Sequence, residues 1–462
     1  MIVVAVDIGS TWTKGAAFAV DADEHVRLLD RAACPTTVHD LEEGFMHVFR
    51  ALVPDDPLGR LRNGALRLQY SSSAKGGLAV AAIGLVPEVT LEIGKMAAQS
   101  AGARLTQVFS YQLTRGDIAR LEETPPDILL FAGGTDGGNL RYVLDNAAAL
   151  GASAIDCDIV YAGNRAAADE VAQCLRGKRL HIVDNLMPVF NEANPEPARD
   201  ALRRIFLDTI VRGKGLDRIV QVTGVEPVPT PLAMLEYVQA IRTHAPGWES
   251  FMLFDMGGAT TDVYSAHREE TQPGTLRRGL AEPDVKRTVE GDLGMRVSAQ
   301  AAAKAAGTLP QASMPQDATD ASVLAEYAER LARCPDHLPQ NADEQRLDET
   351  LAGVCVSLAG ARHAGRCAPV FTPEGEIQLQ TGRDLRRIDK VIGSGGWLAR
   401  ASTFAPAAWL AAQSLDARGR TVLVPRTFTY FRDAEALFPL LANLAREIPR
   451  GAAIAGVGML AH

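Results

Sequence analysis

The chain has 462 residues, of which 47% are hydrophobic and 22% charged, and its formal net charge at pH 7 is −9. A chain of this length exceeds what one hydrophobic core usually supports, so we expect two or three domains. The acidic balance argues against a surface for nucleic acid or anionic membranes, although it permits a local basic pocket. Six scattered cysteines without a C-x-x-C pair provide neither zinc spacing nor a disulfide framework, and they suit a reducing compartment.

The N-terminal sequence MIVVAVDIG has no basic leader and reaches Asp7 too early for a signal peptide. No run of residues approaches the roughly 18 to 20 apolar positions that a membrane helix requires. We therefore expect a cytoplasmic protein that is not embedded in a membrane.

The first motif is DIGSTWTK, residues 7–14, which lies between the apolar runs 2–6 and 15–20. This pattern predicts a buried strand, a hydroxyl-rich glycine turn and a returning strand. Backbone N–H groups in a glycine turn form a concave anion site, and a carboxylate such as Asp7 holds Mg²⁺, usually through water. An ordinary structural hairpin is the alternative, because glycine turns between strands are common.

The same layout returns in residues 251–266, FMLFDMGGATTDVYSA. An apolar strand ends in Asp255, two glycines turn the chain, and Thr260, Thr261 and Asp262 lead into another strand. The repetition indicates an internal duplication with one phosphate-binding hairpin in each half. Two unrelated hairpins are the alternative.

Between the hairpins, residues 71–215 alternate strand and helix patterns, which predicts a doubly wound parallel subdomain. A glycine-rich loop after the strand at 127–131 is a candidate second anion site at a helix N-terminus. A tight strand-to-helix turn explains the same glycines equally well. The candidate residues of this loop are Gly133, Gly134, Thr135, Asp136 and Gly137.

Two further motifs follow the second hairpin. In TVEGDLGMR, residues 288–296, Glu290 and Asp292 could approach Mg²⁺ or a catalytic water, or they could be acids at a helix N-terminus. In GSGG, residues 393–396, glycines at a predicted helix start would let the backbone approach a phosphate or ribose. The Pro-, Asp- and Gln-rich residues 308–340 predict a surface-exposed insertion with one helix around 321–333.

The order DIGSTWTK, DMGGATTD and GSGG resembles the actin, sugar kinase and Hsp70 ATPase superfamily, with its two phosphate hairpins and adenosine loop. With DILLFAGGTDGGN (127–139) and TVEGDLGMR, the chain is similar to the accessory ATPases of adenosylcobalamin-dependent glutamate (methylaspartate) mutase. DMGG-x-T-TDV is also close to the hydantoinase and oxoprolinase ATPases, which keeps that family open.

The resemblance implies an α/β, two-lobed actin-like ATPase fold, built from duplicated ribonuclease H-like domains with an inserted doubly wound subdomain. The predicted boundaries are 1–70 for the first part of lobe I, 71–215 for the insertion and 216–462 for lobe II, with a helical insertion near 300–365. The implied cofactors are ATP and Mg²⁺, and the implied partners are subunits of the mutase, whose inactivated cobalamin such proteins are thought to release. Oligomeric state is left open, with a homodimer among the choices.

In the leading hypothesis, ATP-Mg²⁺ bridges the two lobes, and hydrolysis opens them. Asp7 and Asp255 hold metal waters, and Asp262, or else Glu290, orients the attacking water. Lys14 neutralises developing charge, since phosphoryl transfer depends mostly on positioning and electrostatics. The predicted nucleotide contacts come from both turns and the GSGG loop: Gly9, Ser10, Thr11, Thr13, Lys14, Gly257, Gly258, Thr260, Thr261, Gly393, Ser394, Gly395 and Gly396.

Three other functions fit the same motifs. A small-molecule kinase would need an acidic base beside a substrate pocket, and no sugar-specific motif supplies one. An ATP-dependent amidohydrolase of the oxoprolinase type would cleave 5-oxoproline or a hydantoin. A non-hydrolysing interaction protein would only sense ADP or ATP.

Overall fold

The computed structural model describes the chain except residues 38, 74–77, 86–89, 191, 212–214, 280–281, 308, 310–320 and 374. The α/β chain forms two compact units. Unit 1 contains Met1–Gly76, Val222–Glu226 and Ala233–His462, and unit 2 contains Gly77–Gln221 and Pro227–Leu232. Unit 2 thus begins six residues after the start of the predicted insertion and ends beyond its predicted limit.

The first sheet of unit 1 includes strands β1 (Ile2–Ile8), β2 (Trp12–Val20), β3 (Val26–Pro35) and β4 (Arg67–Ser72). β2 is antiparallel to both β1 and β3, whereas β4 is parallel to β1. Helices α1 (Leu41–Leu52) and α2 (Pro57–Arg62) separate β3 from β4. Phe45 of α1 packs against Tyr70 of β4 with ring centroids 5.2 Å apart, so one face of α1 closes the core over this sheet.

Unit 2 is built around a parallel sheet of five strands in the order β6-β5-β7-β8-β9. Its three central strands are buried on both faces, as parallel strands between helices usually are, whereas the two edge strands are partly exposed. This arrangement confirms the predicted doubly wound insertion. The elements are β5 (Ala79–Gly84), α3 (Thr90–Ser100), β6 (Arg104–Ser110), α4 (Arg115–Glu123), β7 (Ile128–Phe131), α5 (Arg141–Ala152), β8 (Asp158–Tyr161), α6 (Ala168–Cys174), β9 (Arg179–Ile182) and α7 (Glu196–Val211); α8 (Leu216–Thr223), β10 (Val228–Pro229) and α9 (Thr230–His244) follow.

The second half of unit 1 contains two more sheets. The larger has the order β14-β12-β11-β17-β19, and the smaller has the order β13-β16-β15-β18. The elements of this half are β11 (Phe251–Met256), β12 (Thr261–Ala266), β13 (Thr275–Arg278), β14 (Val285–Glu290), α10 (Ala299–Ala306), α11 (Ala321–Arg333), α12 (Ala342–His363), β15 (Arg366–Thr372), β16 (Gly375–Thr381), β17 (Lys390–Ser394), α13 (Pro406–Ala411), β18 (Thr421–Val422), β19 (Thr429–Arg432), α14 (Phe438–Ala445) and α15 (Pro449–Gly458).

The two halves of unit 1 repeat one strand pattern. β3-β2-β1-β4 and β14-β12-β11-β17 have the same order and directions: two antiparallel pairings followed by one parallel pairing. The repeat confirms the internal duplication predicted from the two hairpins.

The insertion predicted at 308–340 is only partly on the surface. Residues 308 and 310–320 lie outside the described residues, and α11 has the predicted bounds. However, Leu324, Tyr327, Ala328 and Leu331 of α11 are buried in the core with α10 and α12. The expectation of a surface element was wrong for this helix, because its apolar face, repeating at helical spacing, has a partner in the fold.

Helix α12 is buried along most of its length. At Gly353 a Cβ would lie 2.0 Å from the indole of Trp409, so the close approach of α13 requires glycine there. Among the described residues, none of the helices is both long enough and apolar enough to cross a bilayer.

The C-terminal helices return to the first sheet. Asn443 of α14 donates to the Val6 carbonyl (3.0 Å), and Gln69 donates to Glu447 (2.8 Å). The predicted boundary assigned all of 216–462 to lobe II, whereas α14 and α15 pack on the sheet of lobe I. We therefore define the first lobe as β1–β4 with α1, α2, α14 and α15, and the second lobe as the sheets and helices from β11 to β19.

A histidine is enclosed in the second lobe. His363 is fully buried, with Nδ1 at 2.8 Å from Thr288 Oγ1 and Nε2 at 2.8 Å from Ser265 Oγ. Burial lowers its pKa well below the ordinary value, and the nearby charges of Lys286 and Arg383 lower it further. The folded protein therefore holds this imidazole neutral.

This histidine predicts a loss of stability in mild acid. The unfolded chain binds a proton at His363 below a pH of about 6.5 while the folded chain does not, so unfolding becomes easier by about 1.4 kcal/mol per pH unit below that value. We expect His363→Gln to reduce this slope in urea titrations between pH 7 and 5. The exposed His47→Gln is the control, and equal slopes in both variants would contradict the assignment.

Candidate functional site

The first predicted phosphate turn joins β1 to β2. The Gly9 N–H donates to the Trp12 carbonyl (3.0 Å), and Thr36 donates through its N–H to Thr11 O (3.0 Å) and through Oγ1 to Gly9 O (2.9 Å). These carbonyls are therefore occupied from within the protein. In the described part of the chain, by contrast, the N–H groups of Ser10 and Thr11 find no acceptor. A turn whose amides are open while its carbonyls are satisfied is suited to an anion.

The second turn, residues 257–260, has the same asymmetry. Gly257 N–H donates to the Thr260 carbonyl (2.9 Å), as Gly9 does in the first turn. The other three carbonyls accept from Met295 N–H (3.1 Å), Arg296 N–H (2.8 Å) and Ser298 Oγ (2.7 Å). The N–H groups of residues 258–260 have no acceptor among the described residues. TVEGDLGMR and the residues directly after it thus form the outer support of this turn.

Two of the predicted phosphate-binding hydroxyls make hydrogen bonds inside the protein. Thr13 and Thr261 are buried; Thr13 Oγ1 lies 3.1 Å from Thr36 Oγ1, and Thr261 Oγ1 donates to Leu293 O (2.7 Å). The alternation of strand residues points these side chains into the lobes, so they fasten the turns instead of facing a ligand. Ser10, Thr11 and Thr260 lie in or beside the turns and remain accessible.

The acids of both hairpins come close together. In register, Asp7 stands opposite Lys14, and Asp255 stands opposite Asp262. Burial, together with the negative charges of Asp262 and Asp7, raises the pKa of Asp255 to about 7, and Lys14 opposes part of this shift. The residues that carry these charges belong to both hairpins, so the two turns face a common region.

Asp262 is held by an ion pair. Its Oδ1 accepts from Arg287 Nε (2.7 Å) and Nη2 (2.5 Å), and Arg287 is almost fully buried on β14. Its Oδ2 accepts from Thr260 Oγ1 at 3.3 Å. Arg287 was not found from the sequence, because a basic residue inside a strand resembles a solvent-exposed position until its partner is known.

Glu290 and Asp292 share one arginine. Arg362 donates to Glu290 (2.7 Å) and, with both terminal nitrogens, to Asp292 (2.7 and 2.9 Å). Burial raises the pKa of Glu290, and Arg362 opposes this shift. Because α10 begins only at Ala299, the alternative that these acids occupy a helix N-terminus does not hold.

Asp433, which the sequence reasoning missed, belongs to the same acidic region. Its carboxylate accepts from Leu437 N–H (2.8 Å), Phe438 N–H (3.0 Å) and Ser394 Oγ (2.9 Å). Burial raises its pKa to about 6 despite these donors and the charge of Lys14. Asp433 directly follows the short strand β19, and this position at the end of a strand was the available signal.

The GSGG segment is more deeply packed than predicted. Gly393 and Ser394 belong to β17, and Ser394 pairs in register with Asp255. A Cβ at Gly395 would lie 2.2 Å from Met256 O, whereas nothing lies within 4 Å of one at Gly396. The following residues form turns and not the predicted helix, so the part open to a ligand is near Gly396.

The glycine loop of unit 2 is a separate feature. Asn164 Nδ2 donates to Gly138 O (3.2 Å) and Asn185 Nδ2 to Gly134 O (3.0 Å), which fixes the loop to the ends of the next two strands. A Cβ at Gly133 would lie 2.6 Å from Leu85 Cγ. Tight packing explains Gly133, and a positive φ explains Gly134 (+74°) and Gly137 (+71°), whereas anion binding by the loop stays a prediction.

The donor set fits Mg²⁺ held largely through water and phosphate oxygens. Only the exposed group Asp21, Asp23 and His25 brings three ligand atoms within 4.8 Å of one another among the described residues. The carboxylates of Asp7 and Asp255 therefore do not form a ready cage. Mg²⁺ usually keeps several waters and takes one or two carboxylates, which this region can supply.

Two open-amide turns, each beside an acid on one copy of a duplicated sheet, define a protein of the actin-like ATPase fold. The chain belongs to the MutL protein family, whose model matches residues 3–455. It is 37% identical to Protein MutL of Clostridium tetanomorphum over 454 residues, which is 96% of each chain.

Several solved structures are similar at lower identity. A glycerol dehydratase reactivase shows 11% identity and a TM-score of 0.34 over 96% of this chain and 100% of that one. A nucleotide-free diol dehydratase-reactivating factor shows 11% identity and a TM-score of 0.30 over 99% of each chain. A Ppx/GppA phosphatase of Aquifex aeolicus shows 9% identity and a TM-score of 0.23 over 88% of this chain and 74% of that one.

Asp255 on β11 and Asp262 on β12 face each other, and we expect replacement of each by asparagine to change the stability of the protein in opposite directions. The raised pKa of Asp255 means that its ionisation destabilises the fold as pH rises from about 4 to 7. Without nucleotide, we expect Asp255→Asn to stabilise the protein by about 1 to 3 kcal/mol at pH 8 and little at pH 4. Asp262→Asn leaves buried Arg287 without its carboxylate and should cost about 3 kcal/mol at pH 8. Urea titrations measure both, and equal signs would contradict this account.

Proposed function

We propose that the chain binds ATP with Mg²⁺ between its two turns, hydrolyses it, and thereby reactivates an adenosylcobalamin-dependent mutase of the glutamate (methylaspartate) type. The observation that carries the nucleotide part is the pair of turns with open amides, each next to an acid, Asp7 or Asp255, on one copy of the duplicated sheet. The mutase part is supported by the distribution of family-like motifs over nearly the whole chain, together with membership of the MutL family.

The turns would bind phosphate through backbone N–H groups. Residues 10–11 and 258–260 offer open amides, and Ser10, Thr11 and Thr260 add hydroxyl donors. Phosphate oxygens are strong acceptors, and a bound anion would satisfy amides that have no acceptor among the described residues. The adenosine would lie against Gly396, because nothing lies within 4 Å of a Cβ placed at this residue.

Asp7 and Asp255 would hold the metal waters. A bound Mg²⁺ would supply positive charge to the phosphates and to the crowded carboxylates. Lys14, opposite Asp7, would offset charge that develops on the transferred phosphoryl group. Of the two acids proposed to orient water, Asp262 is the better supported, because Arg287 fixes its carboxylate beside Thr260.

The bound nucleotide would act on the mutase by changing whether the two lobes are closed or open. Both hairpins contribute to one phosphate site, so the triphosphate would favour a closed arrangement of the lobes and the diphosphate a more open one. If the mutase binds one arrangement more tightly, turnover shifts its release or capture. This difference in affinity would perform the reactivation.

The nucleotide proposal is tested by binding. We expect ATP with Mg²⁺ to raise the melting temperature of the purified chain. The double substitution Asp7→Ala and Asp255→Ala should weaken ATP binding at least about tenfold in calorimetry, because each acid fixes metal-bound water. Exposed Asp389→Ala is the matched control for loss of a carboxylate. Affinity unchanged in the double variant would refute the assignment of the site.

The accessory role is tested with the mutase of the same organism. Holo-mutase inactivated by turnover should regain activity when given the chain, ATP-Mg²⁺ and fresh adenosylcobalamin, and Asp262→Asn should slow this recovery more than it weakens ATP binding. The reactivating role would be contradicted if mutase activity recovered without the chain, or if it did not recover when the chain was added. ATP-coupled cleavage of 5-oxoproline or a hydantoin would indicate the amidohydrolase, and a phosphorylated metabolite would indicate the kinase.

A further inference from the structure

One segment of the chain crosses from the second lobe to the first. β19 ends at Arg432 in the second sheet, and α14 begins at Phe438 against the first. Between them Ala436 has φ +52°, a backbone conformation that costs energy for a residue with a Cβ. Such a conformation persists only where the surrounding contacts determine it.

At the start of this crossover, Asp433 joins elements of both lobes. Its carboxylate accepts from the first amides of α14 and from Ser394 Oγ at 2.9 Å. Ser394 stands beside Asp255 in the parallel pairing of β17 with β11. The crossover is therefore fastened directly next to the acid of the second hairpin.

Ten residues later, Asn443 makes the equivalent connection in the first lobe. Its Nδ2 donates to Ser71 Oγ (2.8 Å), and Ser71 Oγ donates to Asp7 Oδ1 (3.1 Å). Ser71 stands beside Asp7 in the parallel pairing of β4 with β1, as Ser394 stands beside Asp255. Helix α14 is thus connected to the acid of the first hairpin through one hydroxyl.

The orientation of Asn443 has a cost. Its Oδ1 is buried and finds no donor among the described residues, while Nδ2, which carries two hydrogens, lies within hydrogen-bonding distance of three acceptors: Ser71 Oγ, Val6 O and Pro439 O. An unsatisfied buried carbonyl is unfavourable, so the donation from Nδ2 must offset that loss. This balance supports a specific role for the connection to Ser71 and Asp7.

We propose that residues 433–443 are a single positioning element for the acids of both phosphate hairpins, acting through Ser394 on one side and Ser71 on the other. The two serines occupy equivalent positions in the duplicated sheets, and one stretch of chain holds both. This inference rests on the proposed nucleotide function. None of the four side chains touches the reacting atoms; each orients a carboxylate, or the strand that carries one, through a hydrogen bond.

The test measures the part of ATP affinity that depends on Mg²⁺. For each full-length variant, the ratio of ATP affinity in Mg²⁺ to that in EDTA is determined by calorimetry. Ser71→Ala, Ser394→Ala and Asn443→Leu should each lower this ratio about fivefold, since a misdirected carboxylate holds the metal poorly. The control is Ser357→Ala, which removes an equally buried hydroxyl that has no partner among the described residues.

Combining substitutions separates positioning from general loss of stability. Adding Ser71→Ala to Asn443→Leu should change the ratio little further, because both break the same connection to Asp7. Two results would overturn the inference while leaving the nucleotide site intact. In the first, Ser71→Ala and Ser394→Ala have the same affinity ratio as the unsubstituted chain. In the second, the affinity ratio also falls in the control Ser357→Ala. If the unsubstituted chain shows no Mg²⁺-dependent affinity, the proposed function fails, and this inference fails with it.

Discussion

Crowding of carboxylates is the physical constraint on which this molecule depends. Asp255 faces Asp262 across one strand pair, Asp7 approaches from the other hairpin, and Asp433 approaches from the crossover. Like charges at such positions disfavour each other's ionisation, and burial strengthens the effect. The fold tolerates the arrangement because Lys14 and hydrogen-bond donors offset part of the repulsion, and the Mg²⁺ that we propose would offset more of it.

The duplicated halves have diverged at one informative position. In the first hairpin the residue opposite the acid is Lys14, and in the second it is Asp262. The first half therefore supplies its own counter-charge, whereas the second needs Arg287 from the neighbouring strand. The two copies of the duplicated sheet therefore differ in the charge of the residue that lies opposite the acid of the hairpin.

Much of the fold could be predicted from local pattern. The hairpins, the duplication and the doubly wound insertion all follow from apolar runs and glycine turns that are contiguous in the sequence. Ser71 and Asn443 could not be found this way, because their roles arise from contacts between residues that are far apart in the sequence, such as Asn443 with Ser71. The burial of α11 and the packing of Gly395 against Met256 were missed for the same reason, since both depend on tertiary neighbours.

The return of α14 and α15 to the first sheet has a consequence for synthesis of the chain. β1 is made long before α14 and α15, which pack on its sheet but follow all the strands of the second lobe in the chain. Until then, apolar surface of the earliest strands lacks its final cover, which is the condition under which nascent chains associate wrongly. The first lobe thus completes its folding only after α14 and α15 have been made, and a product truncated before these helices would expose the surface on which they pack.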